Sequence, residues 1–289
     1  MADVDVRPIH PDAVSARRRQ SRRAGRYAVL GLTSAVILFP VWVTLSGAIQ
    51  SYDQVLDYPG SLLPWPLTLD VLRNAWTSAN LDRYLINSAI MTVVITAAQV
   101  ITSVLAAYAF TFLRFPFQRT LFVVFLGTLM VPGEVTIVAN FQTIRALGWL
   151  DSYQGLVAPF LATAFGTFLL RQAFLALPKE LREAAEMDGM SHLRFLWDVV
   201  VPLARPAIGA LTVFAFLSSW NQYLWPLVIT NDPDMRTVQI GLRSLASSNL
   251  GELNLTMAGT VIAAIPIVVI LLVFQRQLIR GLTAGAVKG

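Results

Sequence analysis

Few side chains in this sequence are equipped for chemistry, and those that are fall in three places. Asn221, Gln222 and Tyr223 stand together between Trp220 and Trp225 in the stretch "SSWNQYLWPLVIT". Two amides and a phenol supply neutral donors and acceptors while indole faces supply apolar surface, a combination suited to holding a hydroxyl-rich solute. The same residues would also serve hydrogen bonding between membrane helices and an interfacial aromatic belt. Glu134 is a lone acid in an otherwise apolar stretch, placed either at a gate or at an interface. The third place is "REAAEMDG", residues 182–189, with four charges in eight residues between two very apolar regions.

Bond-making chemistry has nothing to stand on. The chain has no cysteine, so disulfides and thiol-based redox or metal chemistry are excluded. Its two histidines, His10 and His192, are too few and too far apart for a zinc site. No G-x-x-x-x-G-K-[ST] loop occurs, and Lys288 in "GLTAGAVKG" does not supply one; G-x-S-x-G and H-E-x-x-H are absent as well. The chain is therefore expected to be neither an enzyme nor the holder of a metal or cofactor.

The elements that must position these residues follow from composition. Of the 289 residues, 55% are hydrophobic and 13% charged, well below the roughly 25% charged of a soluble domain. Runs free of Asp, Glu, Lys and Arg cover residues 27–52, 84–113, 152–170, 206–231 and 253–275, and a sixth, 120–140, is broken only by Glu134. Each approaches the ~20 residues a helix needs to cross a bilayer. The expected fold is all-α and polytopic, with six transmembrane helices. Five of these runs contain an internal proline: Pro40, Pro132, Pro159, Pro226 and Pro266. Each would free a backbone carbonyl to be satisfied by a neighbouring helix or a wet cavity.

Charge sets the orientation. Seven arginines precede the first span, which places that end in the cytoplasm. With six spans alternating, cytoplasmic segments hold 17 basic and 8 acidic residues and outer segments 5 and 9. The expected topology is N-in, C-in, and the positive net charge of +5 is a topology signal, with no nucleic-acid partner implied. "SRRAGR" ahead of an apolar run also fits an export signal, but the run is too long for such a core. The division is a basic cytoplasmic tail (1–26), a six-helix membrane domain (27–280) with a cytoplasmic loop at 177–205, and a short cytoplasmic tail (281–289). In the outer segment 51–83, Tyr52, Tyr58, Trp65 and Trp76 suit docking or interfacial anchoring.

Within the cytoplasmic loop, Pro178 suits the first turn of a helix that carries Leu181, Ala184 and Ala185 on one small-residue face. Asp188-Gly189 stops it, and Ser191 can cap a second helix, 192–201, that ends before Pro202. Such an elbow outlines a DNA-binding helix-turn-helix, yet residues 178–198 hold 3 basic and 5 acidic side chains, which phosphates would repel. A small-faced helix ending in a glycine turn instead offers a surface that a soluble protein could grip closely.

Glu183-Ala184-Ala185, then Gly189 after three residues, then nine residues and "VVVP" ending at Pro202 resembles the EAA loop of permease subunits of binding-protein-dependent ABC importers. Val199 and Val201 replace that pattern's Ile and Leu. "TLMVPGEV", "LDSYQGLVAP", "TFLLRQAF" and "WNQYLWPLVIT" are similar to the sn-glycerol-3-phosphate branch, and "RGLTAGAVKG" to sugar permeases including the maltose type. The resemblance implies a type I importer transmembrane domain in a bacterial cytoplasmic membrane. It implies that Glu183, Ala184, Ala185, Asp188, Gly189 and Pro202 belong to a helix coupling the chain to an ATPase, and that the C-terminal tail reaches the same partner.

The partners so implied are a second permease subunit, two ATPase subunits that bind ATP and Mg, and an extracytoplasmic substrate-binding protein. The expected solute is sn-glycerol-3-phosphate or a glycerophosphodiester such as glycerophosphocholine, with a sugar of the maltose or trehalose type as the alternative. Trp220, Asn221, Gln222, Tyr223 and Glu134 are the expected substrate path. A proton-coupled secondary transporter is the reading from another class, but it calls for ionisable relays within the spans, and they hold one acid.

Overall fold

The computed structural model describes residues 11–57, 65–78, 80–248 and 253–283, and no strand occurs among them. Arg7, His10 and residues 284–289, the bulk of the expected C-terminal tail, lie outside the described residues, as does Tyr58. The chain begins with α1 (Pro11–Gly47), followed by two short helices, α2 (Tyr52–Asp57) and α3 (Asp70–Ser78). The second expected span is α4 (Leu81–Phe112), about 48 Å long at 1.5 Å per residue. Its length exceeds the bilayer core, so it links the two ends of the molecule.

Three helices are long and apolar enough to cross a membrane without interruption: Gly25–Gly47 within α1, Leu81–Phe112, and Leu253–Ile279 within α15 (Leu253–Thr283). Pro40 and Pro266 lie inside two of them without breaking them. The other three expected spans are bent. Helix α5 (Gln118–Gly127) runs through a 3-10 turn to Met130, then meets α6 (Gly133–Ala146) at 98°. The single helix expected over 120–140 is thus two, because Pro132 adopts an extended conformation (ψ 133°) and starts a new helix while Val131 before it is also extended.

The fourth expected span consists of α7 (Tyr153–Val157), a 3-10 turn through Pro159, and α8 (Ala164–Leu175), bent by 46°. After it come α9 (Lys179–Met187), α10 (His192–Phe195), a π-helical turn at Leu196–Val200 and α11 (Val201–Leu203). This continuous rod, His192–Leu203, turns by 81° into α12 (Arg205–Trp220). The helix expected to stop before Pro202 therefore carries on through it: Pro202 falls in the first turn of α11, after wider π turns, where its missing N–H and bulky ring are tolerated. The fifth expected span, 206–231, is also interrupted, since α12 ends at Trp220 and α13 (Leu224–Ile229) begins four residues later. Helix α14 (Val238–Ser248) precedes α15.

Helix α4 is the spine. Its Val104, Ala107 and Tyr108 join a core with Leu170, Phe174, Ala185, Phe195 and Leu211 at the elbow end. Its Met91 and Ile95 join Ile144, Leu156, Trp225 and Ile229. Its Leu81 and Tyr84 meet Trp220, Val238 and Ala258. Gly166 lets α8 come close to α4 and α12, for a side chain there would collide with Ser103 and Leu211. Helix α1 meets α15 toward its C-terminal end, where Gly47 lies against Met257, and is exposed along nearly all of its apolar stretch.

Candidate functional site

The elbow is built by local rules. Pro178 precedes α9 as its N-cap, one residue earlier than its expected place in the first turn. At the other end the Met190 N–H donates to the Ala185 carbonyl at 2.9 Å and the Gly189 N–H to that of Glu186 at 3.1 Å. These two bonds form a Schellman stop. Gly189 occupies it at φ +68°, a left-handed conformation that a side chain disfavours. Ser191 caps α10, its hydroxyl accepting from the Arg194 N–H.

The two alanines part company. Ala185 is buried against the chain's own core, whereas Glu183, Ala184, Met187, Asp188 and Gly189 are exposed. The expected small-residue face is thus divided, with one alanine seating the elbow and the other exposed. Pro202 sits half-buried at the elbow's far end, away from that exposed tip. Met187, 83% exposed at the tip of α9, sets an apolar side chain on that tip which sequence reasoning passed over, although a methionine amid charges was the available signal. Arg182 pairs with Glu186 at 2.7 Å and Arg194 with Asp198 at 3.4 Å, both on exposed helix surface. Such i,i+4 pairs support the helices modestly. Glu183 makes no ion pair among the described residues.

Below the elbow, the Tyr108 hydroxyl and His192 Nδ1 lie 3.0 Å apart. The Tyr108 ring packs on Phe112 and Phe195. Tyr108, His192 and Phe195, together with Arg182, Ala185 and Met190, border a hollow of about 260 Å³. The elbow is therefore joined to the end of α4 by a polar contact as well as by apolar packing.

A second feature lies where the bent spans meet. A cleft of about 350 Å³ is lined by Glu134, Thr136 and Asn140 of α6, by Phe160, and by Asn221, Gln222, Tyr223 and Trp225 at the break between α12 and α13. Two sequence-predicted groups, the lone acid and the amide cluster, thus share one wall although about 90 residues separate them in sequence. Asn221 closes α12, its side chain donating to the Leu217 carbonyl at 2.8 Å. The Trp225 indole N–H donates to the Gly155 carbonyl at 3.2 Å, and its ring meets Phe160 edge-on. Among the described lining residues Glu134 carries the only charge, so the wall offers neutral hydrogen bonds, aromatic faces and one carboxylate.

Trp220 is elsewhere. It is 1% exposed, stacks on Phe216 and donates from its indole to the Ala263 carbonyl at 3.2 Å. Its place is in the joint between α12 and α15. Thr136, Asn140 and Phe160 were missed as lining residues, because only the 98° bend turns α6 toward the break and Phe160 sits at the separate 46° bend between α7 and α8.

Comparison with known proteins agrees with this geometry. Residues 99–283 match the family described as binding-protein-dependent transport system inner membrane component. The sn-glycerol-3-phosphate transport system permease protein UgpE of Yersinia enterocolitica is 41% identical over 255 residues, covering 86% of this chain and 91% of its own. The protein of the same name from Escherichia coli is 41% identical over 264 residues, 89% of this chain and 94% of its own. In structure, the chain resembles a subunit of a bacterial ABC transporter involved in the import of the acidic polysaccharide alginate, with a TM-score of 0.78 and 24% identity over 94% of this chain and all of that one. That likeness shows that the chain shares the fold of that transporter's subunit. With apolar membrane-length helices, an elbow between bent spans and relatives that are transport permeases, the chain belongs to the inner membrane components of binding-protein-dependent transport systems.

Proposed function

We propose that this chain is one permease subunit of an ATP-driven importer of sn-glycerol-3-phosphate or of glycerophosphodiesters such as glycerophosphocholine. The observation that carries this reading is the exposed tip of α9, Glu183 to Gly189, standing on a joint that leads through an 81° turn into α12 and so to the cleft. A second permease, two ATPase subunits that hold ATP and Mg, and an extracytoplasmic binding protein complete the assembly. The bent pairs α5–α6 and α7–α8 each count as one crossing and α12 with α13 as another, giving six with the three uninterrupted helices, with both termini and the elbow in the cytoplasm. The long exposed apolar flank of α1 supports a partner permease as well as lipid as its cover.

In the mechanism, closure of the ATPases pushes the docked elbow. The rod His192–Leu203 and helix α12 then tilt, and the wall bearing Asn221–Trp225 faces alternately inward and outward. Relatives named for sn-glycerol-3-phosphate transport support the solute class. The aromatic wall, whose one charge is a carboxylate, supports a second reading, a sugar or oligosaccharide, since no Lys or Arg among the described residues lines it to meet a phosphate. A phosphate-bearing solute would then take its positive charge from the partner permease.

The elbow is tested by the pair Glu183→Lys, Gly189→Asp. The variant should reach the membrane in normal amounts yet lose co-purification with the ATPase and ATP-driven uptake. Normal uptake by this variant would overturn the coupling assignment. Competition among sn-glycerol-3-phosphate, glycerophosphocholine and maltose for uptake separates the two solute readings.

A further inference from the structure

We infer that Asn87 is a positioning residue for transport, acting through the loop 231–237 to hold the cleft residues Asn221–Trp225 in place. This rests on the reading of the cleft as the solute path.

Asn87 lies on α4 with no exposed surface, in a stretch that is otherwise largely apolar. Every polar atom of its side chain is used. Its amide nitrogen donates to the carbonyls of Asp234 and Arg236, both at 2.8 Å, and its amide oxygen accepts from the Tyr153 hydroxyl at 2.7 Å. Neither direction serves α4 itself. One amide thus ties together three segments: α4, the start of α7 and the loop. An apolar side chain would fill the space as well as Met91 does one turn on; only an amide can hold two carbonyls and a hydroxyl at once.

The same loop is held at three further points. The Arg83 side chain also donates to the Asp234 carbonyl, at 3.2 Å. Asp151, in a left-handed conformation at φ +51°, accepts the N–H groups of Asn231 and Asp232 on one carboxylate oxygen at 2.5 and 2.8 Å. The buried Ser88 hydroxyl accepts from the Val238 N–H at 2.9 Å, where α14 begins. From α14, Gln239 reaches back and donates to the carbonyl of Trp220 at 3.2 Å, the last residue before the break. The cleft segment 221–229 is therefore gripped on both flanks: upstream by Gln239, downstream by the loop that Asn87 and Asp151 anchor. A backbone interrupted at Asn221–Tyr223 has no helical ladder of its own to keep these side chains in register. The anchoring supplies that register, and it makes the wall of the cleft move with α4 and α7 as one body.

The experiment uses the whole transporter, with its partner permease, ATPases and binding protein, in proteoliposomes. Asn87→Asp keeps the shape, removes both donors and sets a carboxylate against two carbonyls. Tyr153→Phe removes a single hydroxyl. Uptake per assembled complex is measured against the concentration of loaded binding protein. For Asn87→Asp the maximal rate should fall about tenfold, and for Tyr153→Phe about threefold, as loss of buried hydrogen bonds would give. The concentration giving half-maximal rate should move less than about twofold, and the double variant should be no slower than Asn87→Asp, since both act in one network.

A wild-type rate per complex, a change confined to the half-maximal concentration, or additive losses would each overturn the inference. Where Asn87→Asp does not assemble, Tyr153→Phe decides by the same criteria. Asn221→Ala and Tyr223→Ala run alongside: if both leave uptake unchanged, it is the reading of the cleft that fails, whatever Asn87 does.

Discussion

Gly189 offers a perturbation whose size can be worked from the backbone. At φ +68° an L side chain costs roughly 1–2 kcal/mol. A Cβ built there meets nothing within 4 Å, so the whole cost of Gly189→Ala is conformational and none is steric. The residue can escape the strain by undoing the Schellman bonds from Met190 and Gly189 and letting α10 swing away from α9. A docked ATPase would have to reverse that change. Affinity of the ATPase for the assembled permease pair should then fall by roughly 5- to 30-fold, the ratio that 1–2 kcal/mol represents. Gly189→Asn is the internal control, because asparagine tolerates the left-handed region better than alanine. Titration of purified ATPase onto the permease pair in nanodiscs reads the affinity directly. Wild-type affinity for Gly189→Ala, or equal losses for the Ala and Asn variants, would refute the assignment of this turn to docking geometry.

Other outcomes follow from the same contacts. Tyr108→Phe keeps the ring packed on Phe112 and Phe195 but removes the contact with His192; loosening of about 1 kcal/mol should raise the ATP hydrolysed per solute imported, while ATPase co-purification stays normal. Glu134→Gln removes the only charge among the described cleft-lining residues, so competitive uptake should shift toward more anionic solutes by a few-fold, and a ratio identical to wild type would take Glu134 out of the path. Leu170→Ala opens the fully buried elbow core at a cost of about 2–5 kcal/mol, and should lower the unfolding temperature in detergent, whereas Val138→Ala on the exposed face of α6 should leave it unmoved. Trp225→Phe leaves the Gly155 carbonyl without its indole donor and should reduce uptake without disturbing ATPase binding.

The parts of this molecule that sequence reveals are those set by contrast. An apolar run without a charge is visible wherever it occurs, and α4 and α15 fall where such runs fall. The elbow stood out because it is charged, and its stop was legible because Asp188-Gly189 permits a conformation that few other pairs do. Bends were harder to see. Pro40 and Pro132 look alike in the sequence, yet the helix around Pro40 continues, with the Thr44 hydroxyl donating to the Pro40 carbonyl at 2.9 Å, while at Pro132 the backbone extends and turns by 98°.

Facing could not be read from periodicity alone either. Ala184 and Ala185 are neighbours with identical side chains, and only the core the elbow packs on, with Tyr108, Phe174 and Phe195, decides which of them is covered. The cleft is a tertiary fact: Glu134 meets the 221–225 segment only after two separate spans break. Asn87 was passed over because a single amide in an apolar run has no period; the polar pair Asn87-Ser88 was its one local signal.

The most direct test of the account is ATP-dependent uptake by the reconstituted transporter, with wild-type chain compared against the Glu183→Lys, Gly189→Asp variant at equal amounts in the bilayer. The account predicts that wild-type complexes accumulate sn-glycerol-3-phosphate or glycerophosphocholine only with ATP and loaded binding protein, and that the variant accumulates neither. Accumulation driven by a proton gradient without ATP, or undiminished ATP-driven uptake by the variant, would contradict it.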